Sequence, residues 1–342
     1  MKEKTNPDLD FPIQPPEVGE GVEIAAGVYW LRLPIPFELN HINVWLLDDG
    51  DGYTLVDTGI YSKKTCAAWE DLLEKQFNDK PINRIIVTHF HPDHFGLVGW
   101  LKQKFDASYM ASRETESMTE YLFNPAEQHS NELRREFYSQ HNLTETKDFE
   151  EFLQGYIYTQ IVSGSLVCDQ YLVDGDCVVI GESEWRVMMG YGHAPGHVTL
   201  YSEKLDMLIS GDQVLPTITS NVSVHATDPD KNPLLEFLDS FIQYQGLPED
   251  TLVLPAHGKV FQGLHVRVEQ IVQHHERVLE KVYDFCEQPH GVLDLMPHLF
   301  KRKLEGMNLV LGFGEALAHL NYLYLEGKIK RELEQGCYRY QR

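Results

Sequence analysis

Apolar and polar positions alternate from Val22 to Leu33, the period of a half-buried strand. His41–Leu47 predicts a second strand, Asp48-Asp49-Gly50-Asp51-Gly52 a hairpin turn, and Tyr53–Asp57 a third strand. Strand, Asp-Gly turn and strand make a meander, so the first part of the sheet is expected to be antiparallel. The period then changes. Ser62 is an N-cap candidate, and Ala67, Leu72, Leu73 and Phe77 fall near helical spacing, which predicts a helix over 62–77. Ile85-Ile86-Val87 reads as a short buried strand, 95–105 as a helix and Ala107–Met110 as another strand. Strand–helix–strand units indicate an α/β arrangement.

Residues 113–165 leave this rhythm. They hold ten acidic and four basic residues, with Tyr121, Phe123, Phe137, Tyr138, Phe149, Phe152, Tyr156 and Tyr158 interleaved. This is a helical insertion, either a solvated excursion with aromatic anchors or a lid over a site, since inserted segments often carry specificity. Strands resume at Gln170–Val173, Cys177–Ile180, Trp185–Met189, His197–Tyr201, Met207–Ile209 and from Leu252, with a helix over Pro233–Tyr244. A long helix over 264–286 carries His265, His274 and His275. Adjacent histidines on a helix diverge by about 100°, so these are expected at the surface. Residues 290–342 read helix, helix, hairpin, with Leu309–Leu325 strongly helical. Residues 1–20, with Pro7, Pro12, Pro15 and Pro16, read as an extended arm on the surface.

The candidate chemistry sits behind the strand at Ile85. His89, His91, Asp93 and His94 follow within six residues. Neutral imidazole is a good zinc donor and a carboxylate offsets the cation's charge. His89 and His91 leave an extended segment on the same side, and Pro92 opens a turn for Asp93 and His94. Three imidazoles and a carboxylate beside an apolar strand would be costly to desolvate with nothing to bind. One metal site could hardly use all four; two adjacent sites could. Pro255 and Gly258 bracket His257, as suits a histidine that leaves its strand to face a pocket.

His89-Phe-His91-Pro-Asp93-His94 resembles the signature of the metallo-β-lactamase fold superfamily, and the resemblance extends over most of residues 20–260. It implies an αββα sandwich: a catalytic domain over 21–262 with the insertion at 113–165, and a C-terminal winged-helix-like module over 263–342. In Gly192-His193-Ala-Pro-Gly-His197 the resemblance implies that the last histidine, His197, is the ligand. His193 is then an outer group or a packed core histidine, the latter preferred. Asp212, after Gly211, is similar to the superfamily's bridging aspartate, and Asp57 to an outer carboxylate that orients a ligand histidine.

The expected centre is two zinc ions, with iron or manganese as alternatives. His89, His91 and His197 hold the first, Asp93, His94 and His257 the second, and Asp212 bridges. The implied activity is hydrolysis by water whose pKa zinc lowers to roughly 7, with Asp93 and Asp212 as catalytic carboxylates. The substrate class is a thioester or ester, similar to that of glyoxalase II-like hydrolases; the alternatives are a phosphodiesterase or nuclease and a lactonase. Leu215 stands where homoserine-lactone hydrolases would carry a tyrosine, and no flavin domain or other organic-cofactor site is expected.

Composition narrows the partners. A net charge of -23 repels phosphate backbones and anionic membranes. The tail's eight Lys or Arg against six Asp or Glu do little to change that, so a small-molecule substrate is expected rather than nucleic acid or membrane. A homo-oligomer stays open. Cys66, Cys168, Cys177, Cys286 and Cys337 are odd in number and widely spaced, which suits reduced thiols. With no signal-peptide core at the N-terminus and no apolar run of about 18 residues, a cytoplasmic protein is expected.

Overall fold

Gly27 divides the first alternating stretch in two. Its φ of 74° turns the chain, and β1 (Gly21–Ala25) pairs back antiparallel on β2 (Val28–Pro34) with Ala25 opposite Val28. The single alternating run expected over 22–33 is therefore a hairpin. The structure, a computed structural model, describes residues 5–36, 39–123, 131–143 and 156–342.

Beyond β2 the first sheet runs β3 (His41–Asp48), β4 (Tyr53–Val56), β5 (Ile82–Ile86), β6 (Ser108–Ala111) and β7 (Gln170–Tyr171), in sequence order. It is antiparallel as far as β4, as the Asp-Gly turn predicts, and parallel from β4 to β7. β7 is shorter than the expected 170–173 because the Val173 N–H donates to Asp176 Oδ2 at 2.9 Å, a turn contact. The second sheet has the order β12 (Leu252–Pro255), β11 (Met207–Gly211), β10 (His197–Ser202), β9 (Ser183–Gly190) and β8 (Cys177–Ile180).

Period-two alternation sorts side chains into layers. In β3, Ile42, Val44 and Leu46 face outward onto α1 (Lys63–Lys75) and α3 (Val98–Phe105), with Trp69, Leu72 and Leu101. Trp45 and Leu47 face inward and meet Trp185, Val187, Val198 and Ile209 of the second sheet. Trp30 and Trp45, opposite one another across β2 and β3, stack at 5.9 Å. On the other side, Leu208 and Val253 pack with Leu234 and Phe237 of α7 (Pro233–Asp239), Ile271 of α8 (Leu264–Phe285) and Phe313 of α10 (Met307–Leu325). The order is helices, sheet, sheet, helices, the expected αββα sandwich.

The metal loop leads into the short helix α2 (Pro92–Phe95). The described parts of the insertion are α4 (Arg113–Phe123), α5 (Asn131–Ser139) and α6 (Tyr156–Gln160). Phe149 and Phe152 lie outside the described residues. Phe137 and Tyr138 are buried against Phe313, so two of the expected aromatic anchors join the insertion to the tail. The tail continues through α9 (Val292–Leu299) and ends in the hairpin β13 (Lys330–Glu334) and β14 (Cys337–Gln341). Tyr340 is buried and the Tyr338 N–H donates to Gln140 O at 2.7 Å. No described helix is long and apolar enough to cross a membrane.

His275 corrects an expectation. It is buried, not at the surface, because α8 and α10 share the outer core, and its Nδ1 lies 3.2 Å from His319 Nε2. His274 and His265 are half-buried. Burial, then the neighbouring imidazoles, push His275 down to about 3, and burial pushes His319 down to about 4. Both take up protons more readily unfolded, where the value is near 6.5. Stability therefore rises with pH across the window from about 4 to 6.5 and is lost as pH falls through it. In urea unfolding at pH 7 and pH 5, H275Q/H319Q is expected to lose less stability on acidification than the wild type.

Candidate metal centre

The site lies along one edge of the sandwich, where loops from both sheets meet. Asp57 follows β4 with φ 62°, in the left-handed region that Asp tolerates better than most residues. This turn aims its carboxylate across to the next strand: Oδ1 accepts from the Thr88 N–H at 2.8 Å and Oδ2 from His94 Nδ1 at 2.7 Å. The proton is thereby held on Nδ1 of His94. Its Nε2 is left buried with no hydrogen-bond partner, 3.6 Å from Asp212 Oδ2 and 3.8 Å from Asp93 Oδ2.

Two groups of donors converge. His89, His91, His193 and Asp212 each offer a ligand atom within 4.8 Å of one another, and so do Asp93, His94 and His257. His89 Nε2 lies 2.8 Å from His91 Nδ1 and 3.3 Å from His193 Nε2. His257 Nδ1 is satisfied by His41 O at 3.0 Å, which turns Nε2 toward Asp93 Oδ2 at 3.2 Å and Asp212 Oδ1 at 3.5 Å. Asp212 stands between the groups, its Oδ2 also 3.5 Å from His193 Nε2.

The expectation for the Gly-His-Ala-Pro-Gly-His stretch is reversed. His193, on the loop, joins the first group, and His197 belongs to neither. His197 is the first residue of β10, paired with Gly190, so the ladder holds its ring beneath the cluster. The ring stacks on His89 at 4.7 Å, and its Nε2 lone pair already accepts the Asp212 N–H at 3.1 Å. Gly211 makes room: a Cβ there would lie 2.6 Å from the His197 ring. The available signal was the alternation beginning at residue 197, which makes His197 a strand residue and leaves His193 on the bent segment before it. Sequence reasoning also missed Thr88, His41 and the loop at Asn221, whose carbonyl accepts from His193 Nδ1 at 2.7 Å.

Electrostatics fit a cation. Burial, then the surrounding histidines, push His89 well below its usual value, and burial with His193 holds His91 down to about 3. Both are neutral near pH 7, with lone pairs to offer. Burial opposes ionisation of Asp93, but His94 and His257 outweigh it and hold the carboxyl down to about 2. Burial likewise opposes charge on His94, yet Asp57, Asp212 and Asp93 draw it well upward. The buried carboxylates of Asp57 and Asp212, with the partly buried Asp93, thus demand positive charge at the point where His94 Nε2 and Asp212 Oδ1 lack hydrogen-bond partners. Imidazole and carboxylate donors in this proportion suit Zn²⁺ and also Fe or Mn.

Residues 38–257 match the metallo-beta-lactamase superfamily. The chain belongs to that superfamily. Residues 279–342 also match the metallo-beta-lactamase-like C-terminal domain. Among solved structures, this superfamily member is similar to a beta-lactamase domain protein from Burkholderia ambifaria, at 38% identity and TM-score 0.89 over 98% of each chain. It is 23% identical over 305 residues to the probable metallo-hydrolase YqjP of Bacillus subtilis (strain 168), covering 87% of this chain and 92% of that protein. It is also 25% identical over 137 residues to the hydroxyacylglutathione hydrolase of Bdellovibrio bacteriovorus, 40% of this chain and 36% of that one.

The two histidines of the bent segment are expected to separate cleanly. His193→Ala should lower bound metal, measured by plasma emission after dialysis. His197→Gln keeps an acceptor for the Asp212 N–H and should retain the wild-type stoichiometry.

Proposed function

We propose that this chain is a hydrolase that uses two metal ions, zinc foremost, on the carbonyl of a thioester or ester. The observation that carries the reading is Asp212, whose oxygens lie 3.5 Å from His193, 3.5 Å from His257 and 3.6 Å from His94. A carboxylate within reach of both groups is what a shared, bridging ligand requires. His89, His91 and His193 would hold one ion and Asp93, His94 and His257 the other, with Asp212 common to both. Bound there, the metals would supply Lewis acidity and bring the pKa of water down to near 7.

The remaining work falls to the chain. Asp57 holds a proton on Nδ1 of His94, His41 O on Nδ1 of His257 and Asn221 O on Nδ1 of His193, so all three present Nε2. The Tyr158 hydroxyl donates to Phe90 O at 2.6 Å and brings the insertion against the metal loop. That contact supports the insertion as a wall for the substrate's apolar part. A thioester is favoured because a thiolate leaves with little help from an acid, and because the Bdellovibrio relative carries the name of a thioester hydrolase. The acidic chain supports a small-molecule substrate over nucleic acid. The C-terminal module, winged-helix-like in its element order, reads as a packed wall rather than a DNA-binding surface.

The test is a purified protein of measured zinc content assayed against acyl-thioesters, lactones and bis(p-nitrophenyl) phosphate. Turnover of thioesters, lost on chelation and restored by zinc, is expected. Turnover of the phosphodiester alone would overturn the substrate class. Asp93→Ala is expected to lose metal and to lower kcat by more than about a hundredfold, since it removes a ligand outright.

A further inference from the structure

The loop after Asp212 is fixed largely by the C-terminal helices. Arg267 on α8 donates to Leu215 O at 2.5 Å and to Ile218 O at 2.6 Å. Further along, the Val224 N–H donates to Gly314 O of α10 at 3.2 Å. Helix and loop touch so closely there that a Cβ on Gly314 would lie 2.7 Å from Ser223 Cβ.

Asn221 sits at the centre of this contact. Its Nδ2 donates to Leu311 O at 3.2 Å and to Glu315 Oε2 at 3.1 Å, and its Oδ1 accepts from Ser223 Oγ at 2.6 Å. A flipped amide would set Oδ1 against the Leu311 carbonyl, which can only accept, so the side chain has one orientation. The backbone carbonyl of the same residue accepts from His193 Nδ1 at 2.7 Å. Glu315, on a helix near the end of the chain, is thus joined to a cluster histidine through one residue.

We propose that Glu315 is a positioning residue for the metal centre: by gripping the Asn221 amide it fixes the carbonyl that holds the His193 tautomer. The C-terminal module is then part of the frame of the site. A carboxyl suits the task in either protonation state: burial pushes Glu315 up to about 7, and both forms keep an oxygen that accepts the Asn221 N–H. Partners that orient a ligating histidine are typically worth 10–100-fold in metal affinity. The inference rests on the two-metal reading above.

Zinc affinity by chelator competition tests it in the full-length wild type, Glu315→Gln, Glu315→Leu, Asn221→Ala and the double variant Asn221→Ala/Glu315→Leu. Thermal melts of the metal-free proteins separate a folding defect from lost affinity. Glu315→Leu is expected to weaken at least one zinc by about tenfold. Glu315→Gln, which still offers Asn221 an oxygen, should stay near wild type. The double variant should be no weaker than the worse single one, because both break one connection. In imidazole ¹⁵N spectra of the metal-free protein, Glu315→Leu should lose the single Nδ1–H tautomer of His193, which a purely structural role would not move. Wild-type affinity in Glu315→Leu, or additive losses in the double variant, would overturn the proposal. If Glu315→Leu does not fold, Asn221→Ala decides by the same readouts, since it keeps the carbonyl and removes the grip. A wild type that binds no zinc would instead overturn the metal-centre reading itself.

Discussion

Carboxylates removed from water must find donors or positive charge. Asp57 and Asp212 are buried and Asp93 partly so, all three act on the buried imidazole of His94, and the edge of the sandwich is built around meeting that demand. The His94 to Asp57 bond answers part of it, with the Thr88 amide and hydroxyl. What stays unanswered is focused on one spot between the loops. The folded chain accepts a left-handed turn at Asp57 and a close ring contact at Gly211 to keep that spot in place.

Much of the fold was legible because strand alternation is a local signal. Each β-residue's inward or outward assignment depends mainly on its neighbours, so the strands of both sheets could be read from the pattern. The errors have physical causes. A glycine can sit inside an alternating run without disturbing the apparent period, so the hairpin at Gly27 was hidden. The divergence of about 100° between adjacent helical histidines does not say which of them faces inward, and the burial of His275 depends on α10, more than thirty residues later in the chain. The core histidine and the cluster histidine of the bent segment were exchanged, since both precede small or apolar residues and only the ladder at β10 tells them apart.

The groups that tune the site were the least legible part. His41, Thr88 and Asn221 act through a carbonyl or hydroxyl, and in two of the three cases the side-chain type says nothing of the role. Backbone acceptors leave no compositional trace. Their partners come from the far end of the chain: loop 213–224 is held by Arg267, Gly314 and Glu315, which carry no motif. The insertion is similar, since Phe137 and Tyr138 acquire meaning only where they meet Phe313.

The donors are divided between the two halves of the sandwich. His89, His91, Asp93 and His94 lie on the loop and short helix after β5 of the first sheet, while His193, Asp212 and His257 lie on loops at strand ends of the second. A cation gripped by both halves would act as a rivet through the seam between them. Its binding energy would be available only with the seam shut, so it would add directly to the resistance of the sandwich to opening. Starving the protein of metal would thus loosen its architecture as well as silence its chemistry.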